Sequence, residues 1–282
     1  MLTLARIVIE TQTVAGIPVL AILPETEQRL PLVFYVPGYT SAKESGLSLG
    51  YKLAQRGCCF VAFDPLFHGE RFDRQLYAAA DPEQGGIYPP ETGLDVGATF
   101  YRVIGQCLAD VRTLLDHFAA DDRVDTTRCA VTGPSMGGYA SFLIFANVPQ
   151  MLAAVPMVGI PTFTRRWTDL LDECAFSNPD WAAALSQVAE QARLHTTMIA
   201  AMDPAERLLE AAPRALLIMN CDFDSDQPKH YAIEFYHRLL GAYALSPAQL
   251  RLAIYPAGHT VTPDMERDAV DWIVGHLLDT GP

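Results

Sequence analysis

Along most of the chain, short apolar runs alternate with longer stretches in which apolar residues recur at intervals of three and four. Parallel strands buried on both faces read as continuous apolar runs, and their crossover helices read as amphipathic stretches. The pattern therefore predicts an α/β fold: a mostly parallel central sheet with helices on both faces. Strands are expected at residues 32–36, 59–64, 129–132, 153–158, 215–220 and 250–255, and helices at 44–56, 93–119, 136–147, 229–240 and 263–278. Thr262-Pro263-Asp264 opens the last helix with a capping residue, a proline in the first helical position and an acid in the first turn. Ahead of this alternation, residues 6–10 and 14–23 are β-rich and flank Ala15-Gly16, where glycine supplies the positive φ of a hairpin turn. An antiparallel N-terminal hairpin is the expectation.

Two stretches break the rhythm. Residues 66–92 are rich in glycine, proline and charge, and loops of that length inside a compact domain are usually functional. Residues 162–212 read as a helical insertion, with Trp181, Leu185, Val188 and Ala192 on one face and Asp203 with Glu206 set as a capping box. A single domain over residues 1–282, carrying this small helical lid, is the predicted organisation.

Composition narrows the functions open to such a fold. Half the residues are apolar, yet no apolar run reaches the roughly 18 residues of a membrane-spanning helix. The formal charge of −13, with no cluster of lysine and arginine, argues against nucleic acid and anionic lipid as partners. The first ten residues alternate apolar and polar, without the basic start and apolar core of a secretion signal, so cytoplasmic residence is expected. Six cysteines, Cys58, Cys59, Cys107, Cys129, Cys174 and Cys221, form no C-x-x-C pair and no metal-ligand spacing, and read as reduced core thiols.

The chemistry begins at Gly133-Pro134-Ser135-Met136-Gly137, between an apolar strand and an amphipathic helix. A G-x-S-x-G match alone arises by chance in roughly one chain in ten of this length, so its context carries the reading. At a sharp strand-to-helix turn the serine hydroxyl is pushed out above the sheet and held there, while the flanking glycines let neighbouring backbone pass. Serine is a weak nucleophile and needs a base within hydrogen-bond reach, usually histidine. His259, in Gly258-His259-Thr260, follows a late strand and precedes a capped helix, whereas His117, His237 and His276 fall on helices. An orienting carboxylate should lie just past a strand between the two in chain order. Asp222, Asp224 and Asp226 all follow the strand at 215–220; Asp224, mid-loop, is best placed to curve back toward His259, and Asp226 suits capping of the next helix. Oxyanion donors are expected from the backbone N–H of Met136, at the helix start, and of Tyr39, behind the strand at 32–36. Pro134 suggests that its strand has already left the ladder.

These segments together resemble a known family. Pro37-Gly38-Tyr39-Thr40-Ser41, Asp64-Pro65-Leu66-Phe67-His68-Gly69-Glu70-Arg71, the Ser135 turn, the loop from Asp222 to Pro228 and Gly258-His259 before a final helix look like the α/β-hydrolase fold. Their order and spacing are similar to small bacterial carboxylesterases related to dienelactone hydrolase and to prolyl-oligopeptidase catalytic domains, over nearly the whole chain from residue 17. The resemblance implies acyl transfer to water through a serine ester, with no cofactor. It implies Ser135, Asp224 and His259 as catalytic residues, Tyr39 and Met136 as the oxyanion hole, and a small-molecule ester as substrate. One departure stands out: the family usually carries His-Gly before the oxyanion residue, where this chain has Pro37-Gly38. His68-Gly69-Glu70-Arg71 resembles a family loop near the site entrance, and a structural turn accounts for it equally well. In such folds the insertion lies over the nucleophile, so Trp167, Phe176 and Trp181 are candidates for lining an acyl or alcohol pocket, with packing of the lid on itself as the alternative. Carboxylesterase, peptidase or lactone hydrolase with the same residues, and a non-catalytic binding protein are the three functions the sequence leaves open.

Overall fold

The structure, a computed structural model, describes residues 6–72, 90–177 and 189–278. In chain order its main elements are β1 (Ile7–Val14), β2 (Ile17–Pro24), β3 (Leu30–Tyr35), α1 (Leu47–Gln55) and β4 (Cys59–Phe63). There follow α2 (Pro90–Ala119), β5 (Val124–Pro134), α3 (Met136–Asn147), β6 (Met151–Met157), α4 (Phe163–Ser177), α5 (Ala189–Met202) and α6 (Ala205–Glu210). The chain closes with β7 (Ala215–Cys221), α7 (His230–Leu239), β8 (Leu250–Tyr255) and α8 (Pro263–Leu277). The strands form one eight-stranded sheet in the order β1-β2-β4-β3-β5-β6-β7-β8. β1 and β2 pair antiparallel, as do β2 and β4, and every pairing from β4 to β8 is parallel. The α/β fold read from the sequence is the one observed.

Side-chain alternation along each strand splits the interior in two. Leu32, Phe34 and Val36 join α2, α3 and α7 in one core, while Val33 and Tyr35 join α1 and α8 in the other. Complete burial of such a side chain contributes about 1.5–3 kcal/mol, so the sheet is stabilised from both faces. α3 is apolar all round and buried from Met136 to Phe145, which a helix tolerates only in the middle of a core. α8 starts as expected, with the Thr262 hydroxyl accepting from the Met265 N–H at 3.2 Å.

Several boundaries differ from the expectation, each for a physical reason. The hairpin turns at Ala15-Gly16, both at positive φ, but Val14 closes the first strand instead of opening the second. The first turn of the helix expected at 44–56 is a 3-10 turn at Lys43–Gly46. β5 starts earlier than apolarity suggests, because Leu30 and Pro31 pair with Val124 and Asp125. Pro134 does not end the ladder: it pairs with Met157, and Ser135 N–H donates to Met157 O at 2.9 Å. The N–H that proline lacks would face β3, where the last ladder bond runs from Val36 N–H to Thr132 O at 3.0 Å, so its absence falls at the very end of that pairing. Asp203 accepts from the N–H groups of Thr164 at 2.8 Å and Ala205 at 3.0 Å, so it braces the start of α4 as well as α6. The face proposed from Trp181, Leu185 and Val188 lies outside the described residues.

Candidate active site

β5 delivers Ser135 onto a turn with φ 55° and ψ −118°, a conformation that non-glycine residues rarely adopt. The turn is clamped from below. An added Cβ at Gly137 would lie 1.9 Å from Val36 O, and one at Gly133 would lie 2.2 Å from the same oxygen. Only glycine at these two positions lets the end of β3 pass beneath the serine, which is the physical content of the G-x-S-x-G spacing.

Asp224 stands three residues beyond β7, and His259 four beyond β8. Main-chain bonds from Asp222 N–H to Tyr255 O (2.8 Å) and from Phe223 N–H to Ala257 O (3.0 Å) tie the two loops together. His259 Nδ1 lies 2.8 Å from Asp224 Oδ2, and His259 Nε2 lies 2.9 Å from Ser135 Oγ. A carboxylate can only accept, so Nδ1 carries the proton and Nε2 presents its lone pair to the serine hydroxyl. Asp224 Oδ1 accepts from the N–H groups of Asp226 at 3.0 Å and Gln227 at 2.9 Å. The aspartate side chain is wholly buried and the histidine 28% exposed, so the imidazole faces the solvent side while its carboxylate partner stays dry. Of the competing aspartates, Asp222 pairs with Lys229 at the surface and Asp226 is exposed.

Met136 N–H is the first of α3 and has no intrahelical carbonyl to meet. The loop after β3 rises beside it: a Cβ on Gly38 would sit 3.5 Å from Pro134 O and 3.8 Å from Ser135 Cβ. Tyr39, next in the chain, packs its ring edge-on against both His68 (centroids 5.4 Å apart) and Phe100 (5.8 Å). Asp224, Asp226 and His259 offer metal-ligand atoms within 4.8 Å of one another. Both oxygens of Asp224 and both ring nitrogens of His259 are already committed to the hydrogen bonds above, so these donors serve the serine.

Of the aromatic residues singled out in the insertion, Trp167 is 1% exposed and donates its indole N–H to Thr196 Oγ1 at 2.9 Å. It packs on Tyr101 inside the core. The Phe176 side chain and Trp181 lie outside the described residues. Two neighbours of the site went unread in the sequence. The Tyr139 hydroxyl, one turn along α3 from Ser135, donates to Gln227 Oε1 at 2.7 Å, and Phe100 packs against both Tyr39 and Tyr139. Burial pushes the thiols of Cys58, Cys59 and Cys129 up to about 12, far from the thiolate a cysteine nucleophile needs.

The sequence profile of the prolyl oligopeptidase family matches residues 96–279, which include Ser135, Asp224 and His259. YitV of Bacillus subtilis, named as an esterase, is 24% identical over 272 residues, covering 95% of this chain and 99% of its own. Among solved structures, TT1662 from Thermus thermophilus superposes with a TM-score of 0.67 at 21% identity, over 98% of this chain and 100% of that one. Acetyl xylan esterase 1 from a Thermoanaerobacterium strain gives 0.64 at 19% identity, over 97% and 84%. At such identities the structural likeness establishes the α/β-hydrolase fold alone. The profile match covers well over half of the residues, and on that ground the chain belongs to the prolyl oligopeptidase family of serine hydrolases.

Proposed function

We propose that this protein hydrolyses small or medium carboxylic esters through an acyl-enzyme on Ser135. The observation that carries the reading is the continuous hydrogen-bond chain from Ser135 Oγ through His259 to the buried Asp224. Ser135 Oγ attacks the ester carbonyl while His259 Nε2 takes its proton, and the carbonyl π pair moves onto oxygen. The N–H groups of Met136 and Tyr39 face that oxyanion, a donor typically worth about 2.7–4 kcal/mol in the transition state. The tetrahedral intermediate collapses, the C–O bond to the alcohol breaks, and His259 returns the proton to the leaving oxygen. Water then repeats the sequence on the acyl-serine and releases the acid. Residues 162–212 act as a lid on the one domain, and the exposed edge of Tyr39 with Phe100 offers apolar surface beside the serine. Among the described residues no helix is long and apolar enough to cross a membrane, and the five described cysteines are free and buried, which suits a reducing cytoplasm.

Family membership also favours a second reading, cleavage of peptide or lactone bonds with the same groups. Hydrolysis of p-nitrophenyl acetate and butyrate, compared with aminoacyl anilides and lactones, separates the two. Ester turnover should disappear in Ser135→Ala, and a fluorophosphonate should label the wild type at Ser135. A folded wild-type protein that neither turns over an ester nor takes the label would be a non-catalytic binding protein.

A further inference from the structure

Pro37 stands where the family usually carries a histidine behind the oxyanion loop, yet the loop from Pro37 to Ala42 is held at both its far end and its middle. We infer that the segment from Asp64 to Arg71 supplies this support, with Lys43, Asp64 and His68 as positioning residues for the Tyr39 donor. The inference rests on the ester-hydrolase reading above.

The far end is held by a buried ion pair. Lys43, in the 3-10 turn immediately after the loop, is 2% exposed, and Asp64, at the end of β4, is fully buried. Asp64 Oδ1 accepts from Lys43 N–H at 2.8 Å and Oδ2 from Lys43 Nζ at 2.9 Å, so one carboxylate grips both backbone and side chain of the same residue. Two contacts with one rigid group fix orientation as well as distance. Glu70 Oε1 takes a second Nζ proton at 2.6 Å, and Glu44 lies 3.0 Å from the same nitrogen.

The segment itself is folded around that carboxylate. Asp64 Oδ2 accepts from Glu70 N–H at 2.9 Å, and Arg71 spans from Asp64 O (3.1 Å) to the buried Asp110 of α2 (2.6 Å). Gly69, at φ 52°, makes the close approach: an added Cβ would fall 2.2 Å from the carboxylate. His68, 2% exposed, donates from Nδ1 to Leu66 O at 2.8 Å, which places a proton on Nδ1 and fixes the ring's orientation. That ring meets Tyr39 edge-on at 5.4 Å, and Phe100 also meets the tyrosine edge-on at 5.8 Å. Asp64 and Glu70 are therefore committed to Lys43 just after the loop and the His68 ring to Tyr39 within it, while Arg71 ties the segment to α2.

The test uses the full chain and p-nitrophenyl butyrate. Lys43→Met leaves a buried carboxylate unpaired and risks misfolding, so the double variant Lys43→Met with Asp64→Leu, which removes both charges, is measured beside it. His68→Phe keeps a ring without the Nδ1 donor, and His68→Asn keeps a donor without the ring. A donor displaced by a fraction of an ångström costs part of its transition-state contribution and little ground-state binding. The double variant and at least one His68 variant should then lose about 10–100-fold in kcat with KM within about twofold, and should bind an alkylboronic acid correspondingly less tightly. Lowered unfolding temperatures with unchanged kcat and boronate affinity would reduce these residues to fold stability and overturn the inference. If the wild type takes no fluorophosphonate at Ser135, the ester-hydrolase reading itself fails and takes the inference with it. Labelling with wild-type kcat in the variants removes the inference alone.

Discussion

Replacing Asp224 with asparagine changes one atom, and the hydrogen bonds around it dictate the consequence. In the native protein Oδ1 meets two backbone N–H groups, from Asp226 and Gln227, while Oδ2 meets His259 Nδ1. The amide has one oxygen and one NH2 to share between these sides. With the NH2 toward the loop, three donors crowd together and two part-buried N–H groups lose their acceptor, at up to about 1–3 kcal/mol each. With the NH2 toward His259, the loop stays satisfied but Nδ1 must accept, which moves the ring proton to Nε2. An Nε2–H cannot take the serine proton. The second arrangement is favoured by the two rescued bonds, about 2–6 kcal/mol, so the productive tautomer survives in roughly one molecule in 30 to one in 10⁴. kcat/KM for p-nitrophenyl butyrate should fall by that factor in Asp224→Asn, with wild-type values in Asp222→Asn and a smaller effect in Asp226→Asn. Nitrogen NMR of His259 should show the proton moved to Nε2. Turnover within threefold of wild type for Asp224→Asn would refute both the tautomer argument and the assignment of the acid.

Gly137→Ala should lower kcat by about 100-fold or more, or prevent soluble expression, because its Cβ would sit 1.9 Å from a main-chain oxygen that has no side-chain freedom to yield; activity and circular dichroism of the purified variant distinguish the two. Burial holds the His68 imidazole below its ordinary pKa of about 6.5, so the unfolded chain binds that proton more readily and the associated stability, complete above about pH 6.5, is lost as pH falls toward the folded value. Urea unfolding of wild type against His68→Asn between pH 7.5 and about 5 should show a stability difference that shrinks on acidification, and a constant difference would count against this. Cys58, Cys59, Cys107, Cys129 and Cys221 are buried and free, so a disulfide exchange reagent should react rapidly with one thiol at most in native protein and with all six in denaturant.

The features most legible in the sequence were those encoded within a few residues of one another. The Ser135 turn is written in two glycines at a strand-to-helix boundary, and His259 in a glycine–histidine pair ahead of a capped helix. Asp224 needed chain order to select a loop, and only the hydrogen bonds distinguish it from Asp222 and Asp226. The links between distant segments leave no periodic mark. Lys43 and Asp64 lie 21 positions apart and Tyr139 and Gln227 lie 88 apart, and nothing in either neighbourhood announces the partner. Pro134 misled because the missing N–H faces the end of the β3 pairing while the ladder to β6 runs on past it, a property of the sheet order and not of the strand. Trp167 was chosen for being aromatic, but its area is buried as effectively in the core beside Tyr101 as in a pocket.

The main-chain bonds joining the loops of Asp224 and His259 have a mechanical implication. Because Phe223 grips Ala257 and Asp222 grips Tyr255, the carboxylate and the imidazole are halves of a single jaw that swings, if it swings at all, as one piece. The serine sits on the opposing jaw, anchored by its helix and by β6. Whatever distorts this enzyme, whether heat, a crowded substrate or a substitution at the rim, should open the gap between imidazole and hydroxyl before it parts the imidazole from its carboxylate.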